Sequence, residues 1–201
     1  MEDAERKIIN ILSDLKHRIF PRPFERLGVG GTSLIGAEIG VYKGEHAQSL
    51  LETLSLQKLF LVDPYRLYNE YLEGKSHYGV DQDPLDVAER DAKERLSPYR
   101  EKIHWIRKKS EDSLGDLPND LDFVYIDGNH QYEFIARDLN NFFEKLKEGG
   151  VLGGHDFYNG FCTEHDGVIQ AVTEFSLIKK LKLSIELPDW WVVKGRGLTH
   201  I

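Results

Sequence analysis

The chain has 201 residues and a formal net charge of −8, which suits one domain with a sizeable core. Neutralising phosphates requires a basic face, so this acidic balance argues against a nucleic-acid partner. A single cysteine, Cys162, excludes an internal disulfide and fits a reducing compartment.

An amphipathic helix is predicted at the N-terminus, because apolar residues recur there at helical spacing: Ile8, Ile9, Leu12, Leu15 and Ile19. Pro21 and Pro23 end it. The stretch is charged throughout and lacks the apolar core of a secretion signal, and no run approaches the ~20 apolar residues of a membrane span. We therefore expect a cytoplasmic protein with no membrane partner. This helix completes the core, covers the mouth of a site, or joins two copies in a homo-oligomer.

Short apolar segments alternate with helical ones about five times along the rest of the chain. Strands are predicted at 34–39, in KLFLVD, KIHWIR, LDFVYID and GGVLGGHD, and in a closing hairpin of LKLSIEL and WWVVKG. Helices are predicted near 45–54, 84–96, 132–146 and 168–179. This pattern predicts an α/β fold with a mostly parallel, doubly wound sheet and a reversed last strand. The whole chain, 1–201, is interpreted as a single domain, with 1–33 as the N-terminal helix and joint and 34–201 as the core.

The first strand ends in IGAEIGVYKGEHAQSLLE, which places Glu38, Gly40 and Gly44 at a strand-to-helix turn. Ligands of open α/β sheets bind beyond the carboxyl ends of the strands, and glycine lets the backbone approach a ligand closely. The spacing E-x-G-x-x-x-G differs from the dinucleotide pattern G-x-G-x-x-G. Tyr42 and Lys43 crowd the space of a pyrophosphate, so a nucleoside without a diphosphate is favoured. An ordinary turn without a ligand is the alternative.

Asp63 ends the second strand, about 20 residues later, where an acid accepts hydrogen bonds from ribose hydroxyls. A ribose without a pyrophosphate indicates S-adenosylmethionine as the cofactor. The structural alternative is a capping residue before Pro64. A nicotinamide-dependent oxidoreductase is a further alternative, which the glycine spacing disfavours.

The stretch DFVYIDGNHQYEFIARDLNNFFEKLKEGGVLGGHDF resembles class I S-adenosylmethionine-dependent methyltransferases. It is most similar to the branch with a D-G-x-H-x-Y turn and an H-D strand end, which includes sugar and antibiotic O-methyltransferases and cephalosporin-hydroxylase-like proteins. The resemblance runs from about Ile35 to Val193. It implies a Rossmann-like sheet of strand order 3-2-1-4-5-7-6, and methyl transfer to an oxygen atom of a small-molecule substrate.

The resemblance also implies a cofactor site, made of Glu38, Gly40, Gly44, Asp63, Ser110 and Asp127. Glu38 and Gly40 would flank the methionine part, Asp63 would hold the ribose, and Ser110 would lie beside the adenine. Many relatives carry Gly-Asp just before that serine, where this chain has Lys108 and Lys109.

A metal site is predicted from Asp127, which ends the fourth strand, and from His155 and Asp156, which end the fifth. Adjacent strands lie about 4.8 Å apart, so these side chains can converge. In several relatives the corresponding residues hold Mg²⁺, a hard cation with oxygen ligands. The imidazole shifts the preference toward Mn²⁺, Fe²⁺ or Zn²⁺. Alternatively, the carboxylates cap loops or meet the cofactor amine.

His130 and His155 are the candidate catalytic bases, because an imidazole titrates near neutrality. Some metal-dependent relatives carry an aspartate base where this chain has Asn129, and an amide cannot take a proton. His130 packing at a helix start is the structural alternative. The polar segment 65–83 either closes over the site and selects the substrate or is a surface insertion. A non-catalytic binding or scaffold module on the same fold remains an alternative, and the sequence does not identify the methyl acceptor.

Overall fold

Seven strands form one sheet in the computed structural model, which describes residues 33–68, 81–157 and 166–195. The strands are β1 Leu34–Ile39, β2 Leu56–Val62, β3 Ile103–Ile106, β4 Leu121–Ile126, β5 Leu146–Gly154, β6 Ser184–Glu186 and β7 Asp189–Val193. The helices are α1 Glu45–Thr53, α2 Asp83–Arg95, α3 Tyr132–Lys145 and α4 Asp166–Ile178, with 3-10 helices at Ser97–Tyr99 and Ser110–Asp112. The predicted N-terminal helix and most of the segment 65–83 lie outside the described residues.

The strand order is β3-β2-β1-β4-β5-β7-β6. The first five strands pair in parallel, and β7 pairs antiparallel with both β5 and β6. These findings confirm the predicted α/β class, the Rossmann-like order and the reversed strand. Among the described residues no helix is long and apolar enough to cross a membrane.

The register aligns the carboxyl ends of the parallel strands at one edge of the sheet. Ile39 pairs with Val62 and with Ile126, Val62 pairs with Ile106, and Ile126 pairs with Gly154. The residues that follow these positions therefore lie side by side at this edge, which we call the carboxyl edge. In open α/β sheets this edge is where ligands bind.

Helices cover both faces of the sheet, because successive side chains of a strand point to opposite faces. Phe123 and Tyr125 of β4 belong to the apolar cluster that includes Leu50 of α1 and Ala92 of α2. Val124 and Ile126 belong to the cluster that includes Leu139 of α3 and Val172 of α4. The strand LDFVYI is buried throughout, as expected of a central strand between two helical layers.

β5 begins at Leu146, directly after α3 ends at Lys145, rather than at the glycine pair that was predicted to open it. Gly149 adopts a φ of 79°, and a Cβ at Gly150 would lie 3.0 Å from the carbonyl oxygen of Leu121. The glycines therefore let the chain bend within the strand and approach β4 closely.

Candidate functional site

Gly40 closes the gap between β1 and β4 at the carboxyl edge. Its φ is 86°, and a Cβ placed there would lie 2.1 Å from the carbonyl oxygen of Asp127. The Gly40 N–H donates to Val62 of β2, and the Asp127 N–H donates to Ile39 of β1. Only glycine fits this crossing of three strand ends, so the turn after β1 lies directly against the end of β4.

Asp63 organises the same turn from the end of β2. Its Oδ2 accepts the N–H groups of Val41 (2.9 Å) and Tyr42 (3.0 Å), and its Oδ1 accepts that of Tyr65 (2.8 Å). Burial raises the pKa of the carboxyl, and the three N–H donors oppose that rise. A carboxylate has about four acceptor positions, so one remains for a ligand hydroxyl.

Gly44 starts α1 with a φ of 72°, and its N–H donates to the carbonyl of Val41. A Cβ at this position would lie 3.0 Å from the Leu96 side chain. The glycine therefore allows the tight entry into α1 that the sequence predicted.

Glu38 is buried beneath this turn, and Glu38 Oε1 lies 3.1 Å from His46 Nδ1 of α1. The His46 ring packs on Tyr125 of β4, with ring centroids 4.0 Å apart. Tyr125 in turn donates its hydroxyl to Asp189 at 2.9 Å. Buried side chains in contact with one another thus connect β1 to β7 under the carboxyl edge. The contact with His46 fixes the Glu38 side chain.

Ser110 lies after β3, where the Ser110 hydroxyl donates to Asp138 Oδ1 at 2.7 Å. Asp138 is buried on α3, and burial raises its pKa to about 7, against the lowering effects of Ser110 and Arg137. Glu111 Oε2 lies 3.3 Å from the same hydroxyl and 3.0 Å from Arg137 Nη2. Ser110 is therefore held between two carboxylates.

Asp127, His130 and Asp156 form the group with metal-binding potential among the described residues, with one ligand atom from each residue lying within 4.8 Å of the others. His130 Nε2 lies 2.7 Å from Asp156 Oδ2 and 3.9 Å from Asp127 Oδ1. Burial lowers the pKa of His130, but the charges and hydrogen bonds of Asp156 and Asp127 outweigh it and raise the pKa to about 10. The imidazole therefore carries a proton near neutral pH.

His155 lies on the other side of the Asp156 carboxylate, with Nδ1 3.0 Å from Oδ1. Its side chain is 1% exposed, whereas that of His130 is 26% exposed. Burial raises the pKa of the Asp156 carboxyl, but His130 and His155 outweigh it and hold that pKa well below its usual range. The structure brings His130 into the three-residue group, while the roles of His155 as ligand or base remain predictions.

Asn129 and Tyr68 lie around this group. The Asn129 side-chain oxygen accepts the N–H of Gln131 at 2.9 Å, which stabilises the turn before α3. The centroid of the Tyr68 ring lies 4.3 Å from Lys109 Nζ and 6.5 Å from the centroid of the Phe134 ring, so Tyr68 links the segment after β3 to the first turn of α3. The Lys109 ammonium thus packs on an aromatic face rather than standing free in solvent.

The carboxyl edge holds every residue that the sequence predicted for the site: Glu38, Gly40, Gly44, Asp63, Ser110, Asp127, His130, His155 and Asp156. Sequence reasoning missed the partners His46 and Asp138. Both interrupt the apolar face of a helix, and a buried polar residue on such a face was the available signal.

A family model described as a methyltransferase domain matches residues 37–157, which is more than half of the chain. An uncharacterized protein of Acanthamoeba polyphaga mimivirus is 29% identical over 85 residues, 37% of this chain and 38% of that protein. The chain thus spans less than half of this viral relative.

Solved structures share the fold at low sequence identity. A structure named for a caffeoyl-CoA O-methyltransferase of Staphylococcus aureus has a TM-score of 0.60 and 14% identity, covering 86% of this chain and 81% of that one. The O-methyltransferase TomG of Streptomyces achromogenes, solved with S-adenosylmethionine, has a TM-score of 0.54 and 13% identity. The match covers 81% of this chain and 74% of that one. Thermotoga maritima spermidine synthase has a TM-score of 0.51 and 16% identity, and the chain spans about half of its length, 53%. At these identities the likeness concerns the fold.

Proposed function

Because the chain belongs to the methyltransferase-domain family, we propose that it is an S-adenosylmethionine-dependent methyltransferase that acts on a hydroxyl group of a small molecule. The observation that carries the proposal is the carboxyl edge itself. There the glycine turn after β1 and the Asp63 carboxylate lie beside a carboxylate and imidazole group at the ends of β4 and β5. The edge thus offers a nucleoside position next to an acceptor position.

The residues of the first three strand ends fit the cofactor. Asp63 has one acceptor position left for a ribose hydroxyl after its three backbone bonds. Gly40 presents bare backbone at the turn, where a side chain would meet Asp127. We assign Glu38 and Gly40 to the methionine part and Ser110 to the adenine, with Gly44 and Asp127 completing the site.

The bound cofactor supplies an activated methyl group, so the protein has mainly to align an acceptor oxygen with it. Asp127 is suited to this alignment because its backbone lies against Gly40 while its carboxylate lies 3.9 Å from His130. It therefore joins the cofactor half of the edge to the group at the ends of β4 and β5.

A divalent cation fits the group Asp127, His130 and Asp156, because two carboxylates and one imidazole are a donor set that Mn²⁺ accepts readily and Mg²⁺ accepts through its oxygens. Such a cation would lower the pKa of an acceptor hydroxyl that it contacts. His130 must release its proton to become a ligand. His155, buried behind Asp156, is suited to holding that carboxylate in place.

His130 is the proposed base in the arrangement where the Asp127 and Asp156 carboxylates alone hold the cation, because an imidazole nitrogen that ligates the cation has no lone pair left for a substrate proton. His130 carries a proton near neutral pH because of the two carboxylates, and a cation between them would favour its deprotonation by offsetting their charge. Its partial exposure gives it better access to a substrate than the buried His155 has.

Calorimetry with S-adenosylhomocysteine tests the cofactor assignment. We expect saturable binding to the native protein and a loss of about tenfold or more in Asp63→Ala, since a charge-assisted hydrogen bond contributes about 1.5–3 kcal/mol. Asp122→Ala is the matched control, because Asp122 also accepts a backbone N–H (Ile35, 2.7 Å) but lies at the opposite edge of the sheet. If the native protein binds no S-adenosylhomocysteine, the proposed function is wrong.

Paramagnetic resonance of Mn²⁺ tests the metal assignment. We expect native protein to bind Mn²⁺ and Asp127→Asn to weaken that binding by about tenfold or more. Asp112→Asn, an exposed carboxylate after β3, serves as the control for nonspecific charge. Equal Mn²⁺ binding by Asp127→Asn and native protein would refute this metal site.

The scaffold alternative predicts cofactor binding without turnover. A panel of hydroxyl compounds incubated with methyl-labelled S-adenosylmethionine distinguishes the methyltransferase from the scaffold module. A single methylated product excludes a purely non-catalytic module. Failure to bind S-adenosylhomocysteine together with saturable binding of NADH would instead support the oxidoreductase.

A further inference from the structure

The Ser110 hydroxyl has two acceptors for its single proton, and both are carboxylates. Asp138 Oδ1 lies at 2.7 Å and Glu111 Oε2 at 3.3 Å. A serine hydroxyl has one proton to donate and two lone pairs that accept. While the proton points to a carboxylate, the hydroxyl can only accept a hydrogen bond from any ligand that meets it.

Asp138 is the stronger of the two acceptors. Its bond is the shorter one, and its side chain is buried on α3, where a charge-assisted bond is strengthened by the low dielectric. Glu111 is partly exposed and is engaged by Arg137 Nη2 at 3.0 Å. Arg137 Nε lies 3.8 Å from Asp138 Oδ1, so the positive charge of one guanidinium partly offsets the negative charges of both carboxylates.

We propose that Asp138 is a positioning residue that keeps Ser110 an acceptor, so that the site selects a purine bearing an amino group and rejects one bearing a keto oxygen. This inference rests on the proposed function, which places the cofactor purine beside Ser110. An amino group donates to the Ser110 oxygen, whereas a keto oxygen there faces lone pairs and remains unpaired. Leaving a buried polar group unpaired is what makes such discrimination strong.

The test compares S-adenosylhomocysteine with its deaminated analogue S-inosylhomocysteine by calorimetry at pH 8, above the pKa of about 7 of Asp138. We expect native protein to bind the adenosyl compound about tenfold more tightly or better. Asp138→Asn should reduce this ratio several-fold, because an amide can turn its NH₂ toward Ser110 and release the hydroxyl proton to a keto oxygen. Ser110→Ala should reduce the ratio to a similar level.

Two variants serve as matched controls. Glu111→Gln alters the other carboxylate of the cluster, and Asp122→Asn alters a buried carboxylate at the opposite edge of the sheet. Both should keep the native ratio within about twofold, since neither holds the proton of Ser110. Thermal unfolding of each variant verifies that the compared proteins are folded.

Several outcomes would overturn the inference. A purely structural Asp138 would weaken both ligands equally in Asp138→Asn and leave the ratio unchanged. If the ratio changes in Glu111→Gln but not in Asp138→Asn, Glu111 rather than Asp138 accepts the Ser110 proton, and the inference is wrong. Native protein that binds both ligands equally would refute the inference while leaving the proposed function intact, and native protein that binds neither would refute both. If Asp138→Asn does not fold, Ser110→Ala and Glu111→Gln decide: the inference requires the ratio to fall in Ser110→Ala and to stay native in Glu111→Gln, and any other result overturns it.

Discussion

Gly40 lies at a position in the candidate site where the fold leaves no room for a side chain. We predict that Gly40→Ala lowers the free energy of unfolding by about 3 kcal/mol, because a left-handed φ costs an alanine about 1 kcal/mol and overpacking costs about 1–3 kcal/mol. The overlap is with the Asp127 carbonyl, 2.1 Å from the added Cβ. Urea denaturation measures the change. Gly115→Ala, whose Cβ meets nothing within 4 Å, is the control and should lose far less.

Asp138 makes a second residue-scale prediction, which concerns pH. Its pKa is raised from 3.8 to about 7 in the folded protein, so between these values the folded state holds a proton that the unfolded chain has released. Asp138 therefore makes the free energy of unfolding fall as pH rises from about 4 to about 7, by about 1.4 kcal/mol per pH unit.

The measurement is urea denaturation of native protein and Asp138→Asn at pH 5 and pH 7. We expect the free energy of unfolding of the variant to fall by about 2 kcal/mol less over this interval, because the asparagine does not ionise and the slope for Asp138 halves at its folded pKa. Asp112→Asn controls for the loss of an exposed carboxylate and should follow the native curve. Parallel curves for native protein and Asp138→Asn would show that Asp138 does not titrate as the burial of its side chain implies.

At the scale of elements, the sequence predicted the strands and helices well because each carries its own periodic signal. β4 is apolar at nearly every position since helices cover both of its faces, and α3 repeats apolar residues at helical spacing. The start of β5 was not predictable, because Lys147 and Glu148 are polar and carry no strand pattern, and because Leu146 joins the sheet only through its pairing with Leu121 of β4.

The site was predictable as a set of strand ends but not in its side-chain geometry. Parallel strands bring their carboxyl ends together, so Asp63, Asp127 and Asp156 could be placed at one edge from the order of elements alone. The sequence indicated His155 as the imidazole of the group, and that role stays a prediction. The place of His130 beside both carboxylates was not predictable, because it depends on the path of the turn between β4 and α3.

The hydrogen bond from Tyr125 to Asp189 links β4 to β7 across β5, and it gives a prediction at this scale. Both side chains are buried, so Tyr125→Phe should lower the free energy of unfolding by about 2 kcal/mol through loss of a bond to a buried carboxylate. Chemical denaturation measures it. Tyr132→Phe removes a hydroxyl that donates to Glu174 at the protein surface and should have a clearly smaller effect. Equal losses would mean that the buried bond adds no specific stabilisation between the strands.

At the scale of the whole molecule, the proposed cofactor site and the proposed acceptor site lie at the ends of different strands of the sheet. The ends of β3, β2 and β1 carry Ser110, Asp63 and Gly40, which we assign to the cofactor, while the ends of β4 and β5 carry the group around Asp156. β7 and β6 extend the sheet on the far side of β5. Cofactor binding should therefore order one half of the carboxyl edge and leave the far sheet edge as it is.

Hydrogen exchange followed by mass spectrometry tests this division. With S-adenosylhomocysteine at 100 times its Kd, we expect peptides covering 40–46, 63–68 and 107–113 to exchange more slowly by up to about 100-fold, because a ligand suppresses openings that abolish its site. Peptides covering 184–195 should keep their rates, since β6 and β7 pair only with β5 and with each other among the described strands. In Asp63→Ala at the same ligand concentration the protection should fall by about tenfold or more, while the rates of 184–195 remain native. Protection centred on 184–195 instead would place the ligand beside the reversed strands, and the assignment of Asp63, Gly40 and Ser110 to the cofactor would then be wrong.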